Sequence, residues 1–378
     1  MCQAKGDLLK IREWCLARNS IFDILRAMTP IISRPICRTL CFLSLIASVY
    51  LGRPFCSPSF ADLKEKLASD ALIVVGAGGT EEYFADFKMW AERWQQAFSE
   101  DVTTTQLGMD KETSGGNSNE KATSRQRILD WISSAPNSPE RERWIVLIGH
   151  GTYQSQIAKF NLEGPDLSAD ELARAISANP ARWRIIVCAS SSGPFLNALS
   201  GPNRIIVTAT KSGSEQNLSR FGDYLSKSIA DPSADLDHDG NISVLEAFIM
   251  ASGNLAKWYE DERRIASEQA LLDDNGDSRG TPSNFFRGVR AVKAPSNGLK
   301  VDGPLANRVF LRKLAGVATL SADQLSKAAE LEHQIDSLRA QKADFAEAIY
   351  YAQLELLLLD LADILVPALP DSTQPDLQ

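Results

Sequence analysis

Four strand-like runs, each ending in small or polar residues, most constrain what this chain can fold into. Ala71-Leu72-Ile73-Val74-Val75 leads into Gly76-Ala77-Gly78-Gly79, and Trp144–Ile148 into Gly149-His150-Gly151. Arg184–Cys188 leads into Ala189-Ser190-Ser191-Ser192-Gly193, and Arg204–Thr210 forms the fourth run. Runs this apolar, without alternation, are buried on both faces, as in a parallel sheet covered by helices. Helical spacing fills the gaps. Tyr83, Phe87, Trp90, Trp94 and Phe98 recur every three or four residues over 81–99, which reads as one core-facing stripe. Ser168 followed by Glu171 makes a capping box at the start of another helix. The expected class is therefore α/β, a parallel sheet flanked by helices with right-handed crossovers. Ligands of such sheets sit beyond the carboxyl ends of the strands, and the ends that carry chemistry here are His150 and Ser190–Ser192. Gly76-x-Gly78-Gly79 has Glu81 where a third glycine of a dinucleotide fingerprint belongs, so it reads as a tight strand-to-helix turn.

A second local motif is complete within twelve residues. Asp235-x-Asp237-x-Asp239-Gly240-Asn241-x-Ser243-x-x-Glu246 matches the EF-hand calcium loop at every defining position. Calcium is a hard cation that takes six to eight oxygens. Asp235, Asp237 and Asp239 supply side-chain oxygens, Asn241 a backbone carbonyl, Ser243 the water-linked position and Glu246 a bidentate closing ligand. Helical sequence flanks the loop over 221–229 and 244–264. The competing reading is a capped helix start with a solvated acidic loop. A second acidic turn, Asp273-Asp274-Asn275-Gly276-Asp277, opens like a calcium loop, but has Ser278 in place of glycine and no closing acid. It reads either as a metal site or as an Asx-rich turn.

The strand ends carry a family resemblance. Trp144–Gly151 resembles the apolar-run-then-His-Gly signature of caspase-like and legumain-like cysteine peptidases. Ile185–Gly193 resembles their nucleophile segment, and the likeness spans about residues 70–290. It is nearest to bacterial members that carry an EF-hand-like loop. The resemblance implies a caspase-like parallel sheet, a Cys–His dyad and peptidase activity. Its nucleophile position falls on Ser190, which is not a thiol. A thiol near an imidazole is readily activated, whereas a serine needs an oriented histidine with a carboxylate behind it. Asp166 is the nearest downstream aspartate, offered only by position. Cys188 lies two residues earlier, on the same strand face but about 6.5–7 Å deeper. Two function classes follow. One is a calcium-binding protein whose domain is non-catalytic, a pseudoenzyme with a binding or structural role and a peptide or protein as ligand. The other is a hydrolase using His150 with Ser190 or Cys188.

Composition bounds the rest. The 378 residues carry a net charge of −8, which argues against a nucleic-acid binder, since that role needs clustered Lys and Arg. Five of the six cysteines precede residue 60, so the count describes no disulfide framework. Residues 28–61 read as a signal peptide: Arg34 and Arg38, an apolar run over Thr39–Leu51, and Ser59-Phe60-Ala61 at a cleavage position. An uncleaved membrane anchor is the alternative. Residues 1–27 read as an upstream extension of the true start. The expected location is exported, periplasmic or extracellular. Residues 62–300 form the main domain, 301–366 a strand followed by a long amphipathic helix, and 367–378 a disordered tail. Leu331, Ile335, Leu338, Phe345, Ile349, Ala352, Leu356 and Leu359 make a heptad-like stripe with a break at Lys342. That helix either packs on its own domain or forms a homodimer.

Overall fold

The computed structural model describes residues 69–365, apart from 99–101, 111–121, 135–137, 140, 296–297, 299 and 315–319. The readings for residues 1–27, for the signal peptide and for the tail after 366 lie outside the described residues. The central sheet contains β1 (Ser69–Val75), β2 (Val102–Leu107), β3 (Glu142–Ile148), β4 (Arg182–Cys188), β5 (Ile205–Thr208) and β6 (Leu271–Asp273). Their order across the sheet is β6-β5-β4-β3-β1-β2. Every pairing is parallel except that of β6 with β5. The apolar runs predict parallel strands throughout, and the β6–β5 pairing departs from that. The antiparallel edge is a three-residue strand, too short to leave a period.

Side chains alternate between the two faces, and each face has its own cover. Ala71, Ile73, Val75, Trp144, Val146, Ile148, Ile186 and Cys188 join one cluster with α1 (Glu81–Ala97) and with residues of the two helices that flank the calcium-like loop. Leu72, Val74, Ile145, Leu147, Trp183, Ile185 and Val187 join the other. There they pack against α2 (Ser124–Ser133), α3 (Ala169–Ser177) and α4 (Gly193–Leu199). Burial on both faces is why the runs in β1, β3 and β4 show no polar alternation. The capping box on α3 forms as expected, with the Ser168 and Glu171 side chains each taking the other's backbone N–H.

The chain leaves β1 to one side toward β2 and returns on the other side as β3. The switch point of the sheet therefore lies between the carboxyl ends of β1 and β3, the place where such folds open a crevice. Directly after β3, residues 151–168 form a small antiparallel sheet of Gly151–Gln154, Ile157–Phe160 and Leu167–Ser168. Its first turn places Ser155 and Gln156 at φ of 51° and 63°, the left-handed pair of a tight hairpin.

On the first-cluster side lie α5 (Phe221–Ala230) and α6 (Val244–Asp261), a helix–loop–helix joined through residues 231–243. The Phe221 and Phe248 rings meet edge to face at 6.2 Å. The C-terminal helical segment divides where the apolar spacing breaks. It forms α7 (Ala322–Ala340) and α8 (Glu347–Leu365), with a 3-10 turn at Lys342–Asp344. Leu320, Ala328, Leu331 and Ile364 form their shared core, so the two helices fold back on each other. Among the described residues, no helix is long and apolar enough to cross a membrane.

Candidate functional site

The register Ile148↔Cys188 brings the ends of β3 and β4 side by side, so His150 and Ser190 emerge from neighbouring strands. They are not hydrogen-bonded to each other. The Ser190 hydroxyl accepts from the Gly151 N–H at 3.2 Å and donates to the Gly151 carbonyl at 3.1 Å. This close approach requires glycine, since a Cβ at 151 would lie 2.2 Å from the Ser190 carbonyl oxygen. His150 turns toward β1. Its ring stands edge-on to Tyr83 at 5.3 Å and Phe87 at 5.1 Å on α1. Burial holds its pKa below the usual value, and the Gly78 backbone opposes that only in part. The imidazole at the end of β3 thus packs on α1 and not on Ser190.

The remaining strand-end hydroxyls are occupied as well. Ser191, at φ 54°, donates to the Gly213 carbonyl, and its N–H bonds the Glu215 carbonyl. The Ser192 and Thr210 hydroxyls bond at 3.1 Å, and Ser192 Oγ accepts the Thr210 N–H at 3.0 Å. Ser192→Ala strands that buried N–H, so it is expected to destabilise the domain by about 1–3 kcal/mol in urea unfolding. An unchanged midpoint would show that the web is not a stabilising one. Cys188 is buried beneath α5, and desolvation, then the Glu268 charge, push its thiol far up and keep it protonated. Asp166 accepts the Leu162 N–H at 3.2 Å, a local turn contact.

The acidic loop is better assembled. Carboxylate oxygens of Asp235, Asp237 and Asp239 all lie within 4.8 Å of one another. Gly240 takes φ 83°, the turn that leaves these carboxylates facing inward. Backbone N–H groups aim at the same carboxylates: Asp239 N and Gly240 N reach Asp235 at 3.1 Å each, and Asn241 N reaches Asp239 at 2.8 Å. Glu246 closes the loop. One of its oxygens accepts from Leu236 N at 2.7 Å and Asp237 N at 3.2 Å, the other from Ser243 N and Ser243 Oγ at 2.8 Å. Ser243 is thus the N-cap of α6, and Glu246 is both capping-box partner and closing ligand position.

This arrangement concentrates negative charge in a buried place. Burial first, then the charges of Glu246 and Asp239, push the Asp237 carboxyl up to about 8. Burial lifts Asp239 to about 6 and raises Glu246 too. Hard oxygens at this spacing, facing one another and short of compensating positive charge, fit a calcium ion. Asp235, Asp237, Asp239 and Glu246 would hold it with the Asn241 carbonyl, and Ser243 would act through water.

Two parts of the site are not legible in its local sequence. Asn241–Ser243 pairs antiparallel with Phe310–Lys313, and Leu314 N donates to the Gly240 carbonyl at 3.0 Å. A strand from beyond residue 300 thereby braces the loop. Glu268, buried, accepts from Ser219 Oγ, Arg220 N, Phe221 N and the Tyr259 hydroxyl, and so caps the start of α5 and links it to α6.

No family model and no curated protein matches this sequence. Among solved structures, the Drosophila initiator caspase Dronc aligns with 68% of this chain and 96% of its own, at 13% identity and a TM-score of 0.34.

Proposed function

We propose that this chain is an exported calcium-binding protein whose caspase/legumain-like domain serves a binding or structural role and not catalysis. The convergence of Asp235, Asp237 and Asp239 within 4.8 Å, closed by Glu246, carries the calcium half of this reading. The non-catalytic half is supported by the serine at the nucleophile position, with its hydroxyl spent on Gly151, and by His150 packed on Tyr83 and Phe87. Export rests on the leader pattern over residues 28–61. Extracellular modules bind calcium at about 10⁻⁴–10⁻³ M, so even a weak loop would be loaded there. A peptide or protein is the ligand class that the resemblance suggests.

The test is covalent. Serine- and thiol-directed probes, together with a panel of peptide substrates, are expected to give no labelling at Ser190 or Cys188 and no turnover. Labelling at either residue that vanishes in His150→Ala would establish the hydrolase instead.

The C-terminal helices support a homodimer. Ile349, Leu356 and Leu359 lie along one stripe of α8 and are 52%, 64% and 56% exposed. Leu356→Asp with Leu359→Asp is expected to halve the mass seen by light scattering. An unchanged mass would remove this interface.

A further inference from the structure

The acidic turn after β6 holds three buried carboxylates, and their partners divide them sharply. Asp274 is spent: it accepts the N–H groups of Gly303, Leu305 and Ala306 at 2.8–3.0 Å. Asp302 is spent as well, on Asp274 N, Asn275 N and the Thr281 hydroxyl. Asp273 is not. It is 1% exposed and its Oδ1 accepts the Gly276 N–H at 2.9 Å, which holds the carboxylate inside the turn. Its Oδ2 is enclosed and has no hydrogen-bond partner. The nearby Ser200 hydroxyl favours the ionised form of Asp273 but does not bond that oxygen. A buried carboxylate oxygen without a partner is costly, and Asp277 and Asp274 add like charge beside it.

The turn around this oxygen repeats the backbone of the loop at 235–246. His238 and Gly240 take φ of 60° and 83° in the first, and Gly276 and Ser278 take 77° and 62° at the matching places in the second. Asp237 and Asp239 each accept the N–H two residues on, at 3.2 and 2.8 Å. Asn275 and Asp277 do the same, at 2.9 and 2.8 Å. Ser278 therefore adopts the left-handed turn that sequence alone assigns to glycine.

We infer that Asp273, Asn275 and Asp277 form a second site for a hard divalent cation, calcium by its all-oxygen donors, with Asp273 Oδ2 as its buried ligand. The site stands apart from the loop at 235–246 and does not depend on it. With one acid fewer and no closing glutamate, it binds more weakly than that loop, as ligand charge count sets calcium affinity. Its place is the end of the antiparallel edge strand, where a cation would also pin Asn275, which donates to the Lys300 carbonyl at 3.0 Å.

Equilibrium dialysis of the full chain against radioactive calcium up to a few millimolar separates the sites. Asp277 is only half-buried, and its carboxylate contact is the Arg279 N–H, so Asp277→Ala should leave the fold intact; Asn275→Ala, at an exposed position, is a second variant. Wild-type protein is expected to bind two equivalents. Asp277→Ala and Asn275→Ala should each weaken one equivalent at least tenfold, and Glu246→Gln should remove the other. If Asp277→Ala abolishes a single equivalent that Glu246→Gln leaves untouched, this site stands and the first loop fails. Wild-type binding unchanged by both turn variants, or no binding at all, would overturn the inference.

Discussion

Excess calcium is expected to raise the melting temperature of chelator-treated wild-type protein by roughly 5–10 °C. The estimate follows from mass action. A ligand that binds only the native state adds about 2.7 kcal/mol at one hundred times its dissociation constant, and each kcal/mol moves a domain of this size by about 2–4 °C. Glu246→Gln should remove most of the shift. Glutamine at this position keeps the capping box with Ser243, so the helix start survives while the charge and one metal-binding oxygen are lost. The amide nitrogen that replaces the other oxygen cannot accept the Leu236 and Asp237 N–H groups, so the variant is expected to melt below metal-free wild type, and calcium should move it only by what the weaker turn at 273–277 contributes. A variant that gains as much as wild type would show that the stabilising ion sits elsewhere.

The second large effect is a dependence on pH that appears only without metal. The metal-free fold holds Asp237 near 8 and Asp239 near 6, against an ordinary value of 3.8. Raised carboxyls bind protons more tightly in the folded than in the unfolded chain. Their contribution is complete below pH 3.8 and is lost as pH rises through 6 and 8. Each proton difference is worth about 1.4 kcal/mol per pH unit. Melting temperature in chelator should thus fall steadily from pH 5.5 to 8.5. Asp302, lifted by burial to about 7, adds to the same slope whether or not metal is present. His150, held low, acts in the opposite sense below pH 6.5. Calcium should reduce the slope to what Asp302 leaves, and Asp237→Asn, which mimics the protonated acid, should reduce it in part. A wild-type curve already flat in chelator would show that these carboxylates do not share one buried space.

These effects rest on features of unequal legibility. The strands β1, β3 and β4 are plain in sequence because burial on both faces leaves unbroken apolar runs. The calcium-like loop is plain because every ligand lies within twelve residues. What braces it is not. Phe310–Lys313 pairs with Asn241–Ser243 across more than sixty residues of chain, and no local pattern announces that contact. Glu268 reaches Phe221 N and Arg220 N from 47 and 48 residues away, as one acid in an unremarkable stretch. The strand ends show both outcomes at once. Sequence sets His150 and Ser190 at the carboxyl ends of two strands, and the structure makes those strands neighbours. The direction of each side chain is decided by Tyr83, Phe87 and Gly151, which only the folded chain brings together. The break in the C-terminal stripe at Lys342 was visible, but not that the chain would turn there and pack α8 against α7.

Calorimetric titration of the chelator-treated full chain with calcium at pH 7, in two buffers of different ionisation enthalpy, tests the calcium site most directly. The carboxylates around Asp237 should surrender a proton as the ion enters. The account predicts saturable binding with a heat that differs between the buffers by net proton release, with the buffer-dependent part lost in Glu246→Gln. No saturable heat in either buffer, or binding with the same heat in both and unaltered by Glu246→Gln, would contradict it.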